Sequence, residues 1–152
     1  MAERAGPLSG VRAVTCSTAQ AGTVPYMMMA DLGAEVIKVE VPGVGDGSRT
    51  AGELRGEISS FFETNNRGVK SVTLDLKSAE GRKILHRLIE TADIFGQNFR
   101  PGAAEKNGFG YEELKKINPK LVYVSVSGYG QRGPHSGLPG TDAVGQALGG
   151  IS

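Results

Sequence analysis

The sequence predicts an α/β fold in which helices cover a mostly parallel β-sheet. Short β-rich runs alternate with helical patterns along the chain, and clusters of turn-forming residues separate them. The chain has 152 residues, of which 39% are hydrophobic, so it can bury one core. Its 23 glycines are about twice the usual share of ~7%, and they indicate many tight turns. We therefore expect one domain over residues 1–152.

The first half of the chain predicts three strands and one helix around an irregular segment. Pro25 suits the first turn of a helix, where its missing N–H would be unpaired in any case, and Gly33 ends that helix. Residues 47–68 are largely polar, with Phe61 and Phe62 as the main apolar pair, and predict irregular structure. The regular elements are expected at Val11–Thr15 (strand), Val24–Leu32 (helix), Glu35–Glu40 (strand) and Ser71–Leu76 (strand).

The second half predicts the best-defined helix. Ser78 can cap it, Glu80 lies in its positive first turn, and an apolar stripe follows at helical spacing. That stripe consists of Ile84, Leu85, Leu88 and Ile89. The later elements are expected at Ile94–Asn98 (strand), Tyr111–Ile117 (helix), Leu121–Ser127 (strand) and Asp142–Leu148 (helix).

Composition argues against several classes of protein. The formal net charge of +1 offers no field toward nucleic acid or an anionic membrane. The apolar runs fall far short of the roughly 20 residues that span a bilayer. The single Cys16 argues against a disulfide framework, and the two histidines lack metal-ligand spacing, so we expect no metal site. Residues 1–7 lack the apolar segment of a secretory signal, which favours a cytoplasmic protein.

A glycine motif follows the last predicted strand. Gly128, Gly130 and Gly133 fit the G-x-G-x-x-G pattern of dinucleotide-binding loops. That pattern needs a helix to begin inside the motif, and Pro134 and Pro139 prevent one here. The segment therefore predicts a mobile glycine loop, which is also a composition suited to a lid over a reactive site.

Several polar residues leave alternatives open. Lys70, Lys77, Arg100 and Lys106 lie near strand or loop ends, where they could meet phosphates or be ordinary solvated charges. Asp142 is either a helix cap or a carboxylate for acyl chemistry. A nucleophilic role for Cys16 is disfavoured because no spacing brings a histidine to it.

Four stretches together resemble the N-terminal part of a class III CoA-transferase. This family includes formyl-CoA:oxalate and carnitine CoA-transferases and the α-methylacyl-CoA racemases. The resemblance covers nearly the whole chain in order. The stretches are Pro7–Arg12; Ala30–Glu40 with Pro42–Asp46; Asn66–Lys77 with Glu80 and Gly81; and Asn98–Gly102 continued by Gly108–Tyr111, Asn118–Tyr123 and Ser127–Pro134.

The resemblance implies a Rossmann-like α/β domain within an interlocked homodimer. It implies that CoA moves from an acyl-CoA to a small free carboxylic acid, with CoA a substrate rather than a resident cofactor. An aspartate would attack the thioester to form a mixed anhydride, and an enzyme thioester would follow. Members of the family are much longer, so we expect a truncated N-terminal CoA-binding domain whose nucleophilic aspartate lies beyond Ser152. Its partner would be a second copy, a paralogue or a C-terminal portion.

The resemblance also assigns roles to individual residues. It places Gln20 and Ala21 at the thioester end of CoA, with Gln20 orienting the nucleophile, and Asp142 at an acidic position near the active centre. The remaining CoA contacts that it implies are Leu74, Lys77, Asn98, Phe99, Arg100 and Lys106.

Departures from the family pattern keep other functions open. Val41 stands where an arginine commonly contacts adenine, Val69 replaces a basic residue, Thr23 a proline and Cys16 an aspartate. These departures allow a non-catalytic CoA-binding or assembly subunit. A racemase is the other alternative, although Thr141 stands where racemases typically have histidine, which favours transfer.

Overall fold

A computed structural model describes residues 6–151 as one α/β unit. Residues 1–5 and residue 152 lie outside the described part. The prediction that residues 1–7 are not a secretory signal therefore falls mostly outside it. The strands are β1 (Arg12–Thr15), β2 (Glu35–Glu40), β3 (Leu54–Arg55), β4 (Ile58–Ser59), β5 (Lys70–Thr73), β6 (Ile94–Gln97) and β7 (Val122–Ser125). The α-helices are α1 (Ala19–Asp31), α2 (Ser60–Asn66), α3 (Ala79–Ile89), α4 (Ala103–Lys106), α5 (Tyr111–Ile117) and α6 (Asp142–Leu148), and a 3-10 helix covers Gly47–Thr50.

Five parallel strands form the main sheet in the order β5-β2-β1-β6-β7, which confirms the predicted fold class. From β1 the chain proceeds outward to β2 and β5, then crosses β1 to reach β6 and β7. The order of strands therefore reverses between β1 and β6. In open parallel sheets such a point opens a crevice outside the carboxyl ends of the strands, where ligands bind.

Helices bury both faces of the sheet. On one face Tyr26 and Ala30 of α1 pack with Ala13 and Val36 of the central strands. On the other face Leu85 and Ile89 of α3 and Leu114 of α5 belong to a larger cluster around Phe95. The ring of Phe95 contacts Phe109 edge-on at a centroid distance of 6.4 Å. The two faces are thus both closed, as a parallel sheet requires.

The segment 47–68 is more regular than predicted. It holds the 3-10 helix, the antiparallel β3–β4 hairpin and α2. Ser59 accepts a hydrogen bond from the Phe62 amide and caps α2, while its hydroxyl donates to the carbonyls of Ser48 and Ala51. These contacts join residues of different elements. The prediction of irregular structure was wrong because it considered only local patterns.

Helix boundaries also differ from the predictions at α1 and α4. Helix α1 begins at Ala19, five residues before the predicted Val24, so Pro25 lies inside it. Residues 19–23 carry no apolar stripe, and hydrogen bonds between Asn98 and the Thr18 backbone hold the start of this helix in place. Helix α4 was not predicted because it is a single turn. In contrast, the Ser78 cap of α3 is confirmed, with its Oγ accepting from the Gly81 amide at 3.0 Å.

Three strands are shorter than predicted at their carboxyl ends: β5 stops at Thr73, β6 at Gln97 and β7 at Ser125. Apolar side chains continue the alternation beyond β5 (Leu74 and Leu76) and β7 (Val126) and extended the prediction there, whereas β6 ends only one residue early. The chain leaves the ladder there to form loops over the carboxyl edge of the sheet.

Gly96 allows α1 to approach the sheet closely. A Cβ placed on Gly96 would lie 1.3 Å from the Tyr26 hydroxyl oxygen. The Tyr26 ring therefore occupies the space that a side chain at position 96 would need. The ring is buried in the core on the α1 face.

We expect Gly96→Ala to lower the free energy of unfolding by about 1–3 kcal/mol, because the methyl group overpacks a buried contact. Urea denaturation followed by circular dichroism measures this change. Gly145→Ala is the matched control, since a Cβ there meets nothing within 4 Å and alanine favours the surrounding helix. Equal stability of the two variants would contradict the assigned Tyr26 contact.

Candidate functional site

A pocket of about 520 Å³ opens at the carboxyl edge of the sheet. Loops that follow β1, β2, β5 and β6 contribute to its wall, and so does the segment between α4 and α5. Most of the lining side chains are apolar. The lining residues are Cys16, Thr18, Val39, Glu40, Val41, Pro42, Gly45, Leu74, Asp75, Leu76, Lys77, Phe99, Asn107 and Phe109.

Three of the CoA contacts that the resemblance implies line this pocket together. Leu74 is buried and Lys77 exposed in the loop after β5, and Phe99 lies half-buried after β6. The Lys77 amide donates to Asp75 Oδ1 at 2.9 Å, which shapes the tight loop that carries the lysine. The structure therefore brings an apolar surface and an ammonium group to the same cavity.

Other predicted residues lie outside the lining. Arg100 and Lys106 are exposed and do not contribute to the pocket wall. Gln20 and Ala21 are exposed in the first turn of α1, next to Thr18, which does line the pocket. Their proposed contacts with CoA stay predictions.

Asp142 is also absent from the residues that line the pocket. It is the first residue of α6, and its Oδ2 accepts from the Gln146 side chain at 2.6 Å. The Asp142 side chain makes no capping hydrogen bond, and the N-cap position is occupied by Thr141. The interpretation of Asp142 as a helix cap was therefore wrong. The whole of α6 is exposed on the described residues.

Asn98 joins the loops that follow β1 and β6. Its Oδ1 accepts from the Thr18 amide at 3.0 Å, and its Nδ2 donates to the Thr18 carbonyl at 2.8 Å. Ala19, which follows Thr18 in the chain, has a backbone φ of +57°. A left-handed conformation costs a residue with a Cβ roughly 1–2 kcal/mol, so the contacts around this turn must hold it.

A buried ion pair lies beneath the loop after β2. Lys38 and Asp46 are each 1% exposed, and the Lys38 ammonium donates to Asp46 Oδ2 and to Asn66 Oδ1, the latter at 2.7 Å. Asp46 Oδ1 accepts from the amides of Ser48 and Ala19 at 2.9 and 3.3 Å. Burial alone would raise the pKa of Asp46, but the bonds from Lys38 and Ser48 lower it.

This ion pair was not predicted from the sequence. Lys38 lies in the middle of a strand that otherwise predicts burial, and Asp46 lies in a glycine-rich turn. A lysine at a buried strand position is a signal, because a buried ammonium group needs a partner. The sequence does not show which carboxylate supplies it.

Glu40, at the end of β2, lines the pocket, and Arg49 neutralises its negative charge. Its two oxygens accept from Arg49 Nε and Nη2 at 2.8 and 2.6 Å, and its Oε1 also accepts from Ser71 Oγ at 2.6 Å. Burial opposes ionisation, but these hydrogen bonds lower the pKa of Glu40 to about 2. The Arg49 guanidinium also stacks on the Phe62 ring at 3.8 Å from its centroid.

Cys16 faces the pocket as an unreactive thiol. It is buried, and burial raises its pKa to about 12. Thiolate is the nucleophilic form of cysteine, so the disfavoured role of Cys16 as a nucleophile finds no support in its surroundings.

The glycine loop after β7 contains no helix between Gly128 and Gly140, as its prolines predicted. Its two ends approach closely, since a Cβ on Gly128 would lie 2.5 Å from the Gly140 Cα. Within residues 6–151, no group of three or more His, Cys, Asp or Glu side chains could hold a metal ion. Over the same range, no helix has the length and apolar character needed to cross a membrane.

Glu40→Gln should weaken the acid dependence of stability. A carboxylate whose pKa falls from 4.5 to about 2 on folding contributes stability that is full above the unfolded value and is lost as the pH drops toward the folded one. The wild type should therefore lose stability from about pH 4.5 to about pH 2 more steeply than the variant. Urea midpoints measured across this window provide the check, with Glu57→Gln in the exposed hairpin as control. Parallel profiles for wild type and Glu40→Gln would disprove the assigned role.

Comparisons with known proteins agree with the resemblance. The model of CoA-transferase family III matches residues 8–152. The acetyl-CoA:oxalate CoA-transferase of Acetobacter aceti is 42% identical over 146 residues, which cover 96% of this chain and 38% of that protein. The succinyl-CoA:glutarate CoA-transferase of Homo sapiens is 42% identical over 146 residues, which cover 95% of this chain and 33% of that protein.

Solved structures show the same fold. A CAIB/BAIF family protein from Brucella suis superimposes with a TM-score of 0.91 at 40% identity, over 97% of this chain and 40% of that one. The chain therefore spans well under half the length of the relatives that it matches. Because the family model covers nearly all of its residues, and relatives at this level of identity share its fold, the chain belongs to CoA-transferase family III.

Proposed function

We propose that this chain is the N-terminal CoA-binding domain of a CoA-transferase, which moves CoA from an acyl-CoA to a small free carboxylic acid. The observation that carries the proposal is the pocket at the carboxyl edge of the sheet, where Leu74, Lys77 and Phe99 meet. Relatives named CoA-transferases that align with nearly the whole chain support the reaction class.

The chemistry of the pocket suits the extended arm of CoA. Its volume of about 520 Å³ lies within the range of small-molecule sites, ~300–1,000 Å³. Apolar walls suit the pantetheine arm, and the Lys77 ammonium suits a phosphate oxygen. Because Arg49 neutralises Glu40, that carboxylate does not repel an anionic ligand from the wall.

The proposed reaction proceeds through covalent carboxyl intermediates. A carboxylate oxygen of an aspartate attacks the thioester carbonyl. The C–S bond breaks, CoA departs as the thiolate, and a mixed anhydride of the aspartate and the donor acid is formed. The thiolate then attacks the aspartyl carbonyl, which releases the donor acid and leaves an aspartyl-CoA thioester. Attack by the acceptor carboxylate and return of the thiolate give the new acyl-CoA and the free aspartate.

In this proposal the attacking aspartate comes from outside these 152 residues, supplied by a C-terminal portion or a paralogue. The anhydride must be kept from water, since hydrolysis would compete with transfer. The glycine loop 128–140 is suited to cover it, and its backbone N–H groups are suited to stabilise an oxyanion. A cytoplasmic location is part of the proposal.

One observation favours a second candidate, a CoA-binding subunit without catalysis. Val41 lines the pocket and is 59% exposed, where the resemblance implies an arginine against adenine. A racemase is less well supported, because Thr141 replaces the histidine that racemases use and the relatives compared above are named transferases.

Lys77→Met should weaken CoA binding about tenfold, since one charge-assisted hydrogen bond contributes about 1.5 kcal/mol. It should also reduce the dependence of binding on salt, because the screened charge is gone. Titration calorimetry with CoA at two salt concentrations measures both effects. Lys83→Met, on the exposed surface of α3 and outside the pocket lining, is the matched control. Equal affinities of the two variants would reject this pocket as the CoA site.

A trapping experiment tests where the nucleophile lies. After incubation of the chain alone with acetyl-CoA and hydroxylamine, we expect the intact mass to stay unchanged, because the attacking carboxylate is not part of it. A hydroxamate on any carboxylate of the chain would show that this chain carries the nucleophile and would also exclude the non-catalytic subunit.

A further inference from the structure

The turn between β1 and α1 adopts a conformation that its own residues do not favour. Ala19 is the one non-glycine residue with positive φ in the described part of the chain. Such residues persist where surrounding contacts over-determine them, and they concentrate at functional sites. This turn leads directly from Thr18, at the pocket wall, into the first turn of α1.

Side chains from two neighbouring loops hold this turn. Asn98, after β6, makes two hydrogen bonds to the Thr18 backbone. From the other side, Asp46 Oδ1 accepts from the Ala19 amide at 3.3 Å. The Ala19 carbonyl also accepts from the Thr23 hydroxyl within the helix. Of these contacts, the Asp46 contact is the one that reaches the backbone amide of the left-handed residue itself.

Asp46 is in turn held rigidly. Its Oδ2 accepts from the buried Lys38 ammonium, and its Oδ1 also accepts from the Ser48 hydroxyl at 2.7 Å. Neither Lys38 nor Asp46 lines the pocket. Burying such a pair is often no better for stability than apolar side chains would be. Because Asp46 of this ion pair contacts the Ala19 amide, we infer that the pair fixes the geometry of the turn.

We propose that Asp46, fixed by Lys38, is a positioning residue that holds the Ala19 amide and so orients the Gln20–Ala21 turn toward the thioester end of CoA. This inference rests on the proposed function, because it assumes that an acyl-CoA occupies the pocket. It assigns a role in ligand orientation to two side chains that do not touch the ligand.

A purely structural role is the competing explanation. Asp46 also caps the 3-10 helix through the Ser48 amide, and loss of that cap could disturb the pocket as a whole. A structural defect would weaken every ligand of the pocket, whereas misplacement of the turn would weaken only a ligand that reaches it.

The test compares two double variants that both lack the ion pair. In Lys38→Met/Asp46→Asn, the amide oxygen can still accept from Ala19 and Ser48. In Lys38→Met/Asp46→Leu, a side chain of similar size has no acceptor. Both variants are neutral at these positions, so they differ in the acceptor and not in a buried charge. Ser48→Ala is a further control, because it removes one bond to the same oxygen and leaves the Ala19 contact.

Acetyl-CoA and adenosine 3′,5′-bisphosphate are the two probes, because the second has the nucleotide end of CoA but no thioester arm. We expect the Leu variant to bind acetyl-CoA about tenfold more weakly than the Asn variant, the factor that loss of the bond to the Ala19 amide supplies. The bisphosphate should bind both variants equally, and Ser48→Ala should keep the wild-type ratio of the two affinities. Equal losses for both probes, or no difference for acetyl-CoA, would overturn the inference.

Amide exchange separates this inference from the proposed function. Hydrogen exchange at Ala19, followed by NMR without ligand, should be about tenfold faster in the Leu variant than in the Asn variant, since opening is no longer opposed by that bond. If the wild type bound neither probe, the proposed function would fail. Faster exchange would then still support the Asp46 clamp, and unchanged exchange would refute it.

Discussion

The parallel pairing of β1 with both β2 and β6 is the interaction on which the rest of the site depends. Because all five strands run in the same direction, their carboxyl ends meet at one edge. Backbone hydrogen bonding continues past the ends of the strands: the Cys16 amide donates to the Gly96 carbonyl at 2.9 Å, and the Leu74 amide to the Glu40 carbonyl at 3.0 Å. The ladder therefore places the first residues of the loops, and these residues form the pocket wall.

Buried charge determines the shape of the loop after β2. Lys38 and Glu40 lie two residues apart on β2. Lys38 is paired with Asp46 and Glu40 with Arg49, both from the segment that follows the strand. An uncompensated charge at either position would be costly in the interior, so the loop must return over the strand to supply the partners. That return carries Val41, Pro42 and Gly45 to the pocket. Electrostatics here acts as a constraint on the path of the chain.

The groups that line the pocket are chemically compatible with the acyl-CoA proposed to bind there. A thiolate in the wall would attack an acyl-CoA directly, but burial raises the pKa of Cys16 to about 12 and keeps it protonated. Glu40 is ionised yet paired with Arg49, and a carboxylate held in this way is a poor nucleophile. In the described residues that line the pocket, Lys77 is the one cationic side chain. These features are compatible with the acyl-CoA substrate of the proposed function, whose phosphates would need a cation and whose thioester would be attacked by a separate carboxylate.

Local patterns determined the elements whose stabilising contacts lie close in sequence. Glu35–Glu40, Tyr111–Ile117 and Asp142–Leu148 have the predicted bounds, because alternation, helical spacing and flanking turn residues act over a few positions. The resemblance likewise depended on short motifs and was confirmed. Only the tertiary structure decided that Lys77 lines the pocket while Arg100 does not, and that Asp46 reaches the Ala19 amide 27 residues away. Such contacts depend on the order in which strands assemble, and no local pattern of residues encodes that order.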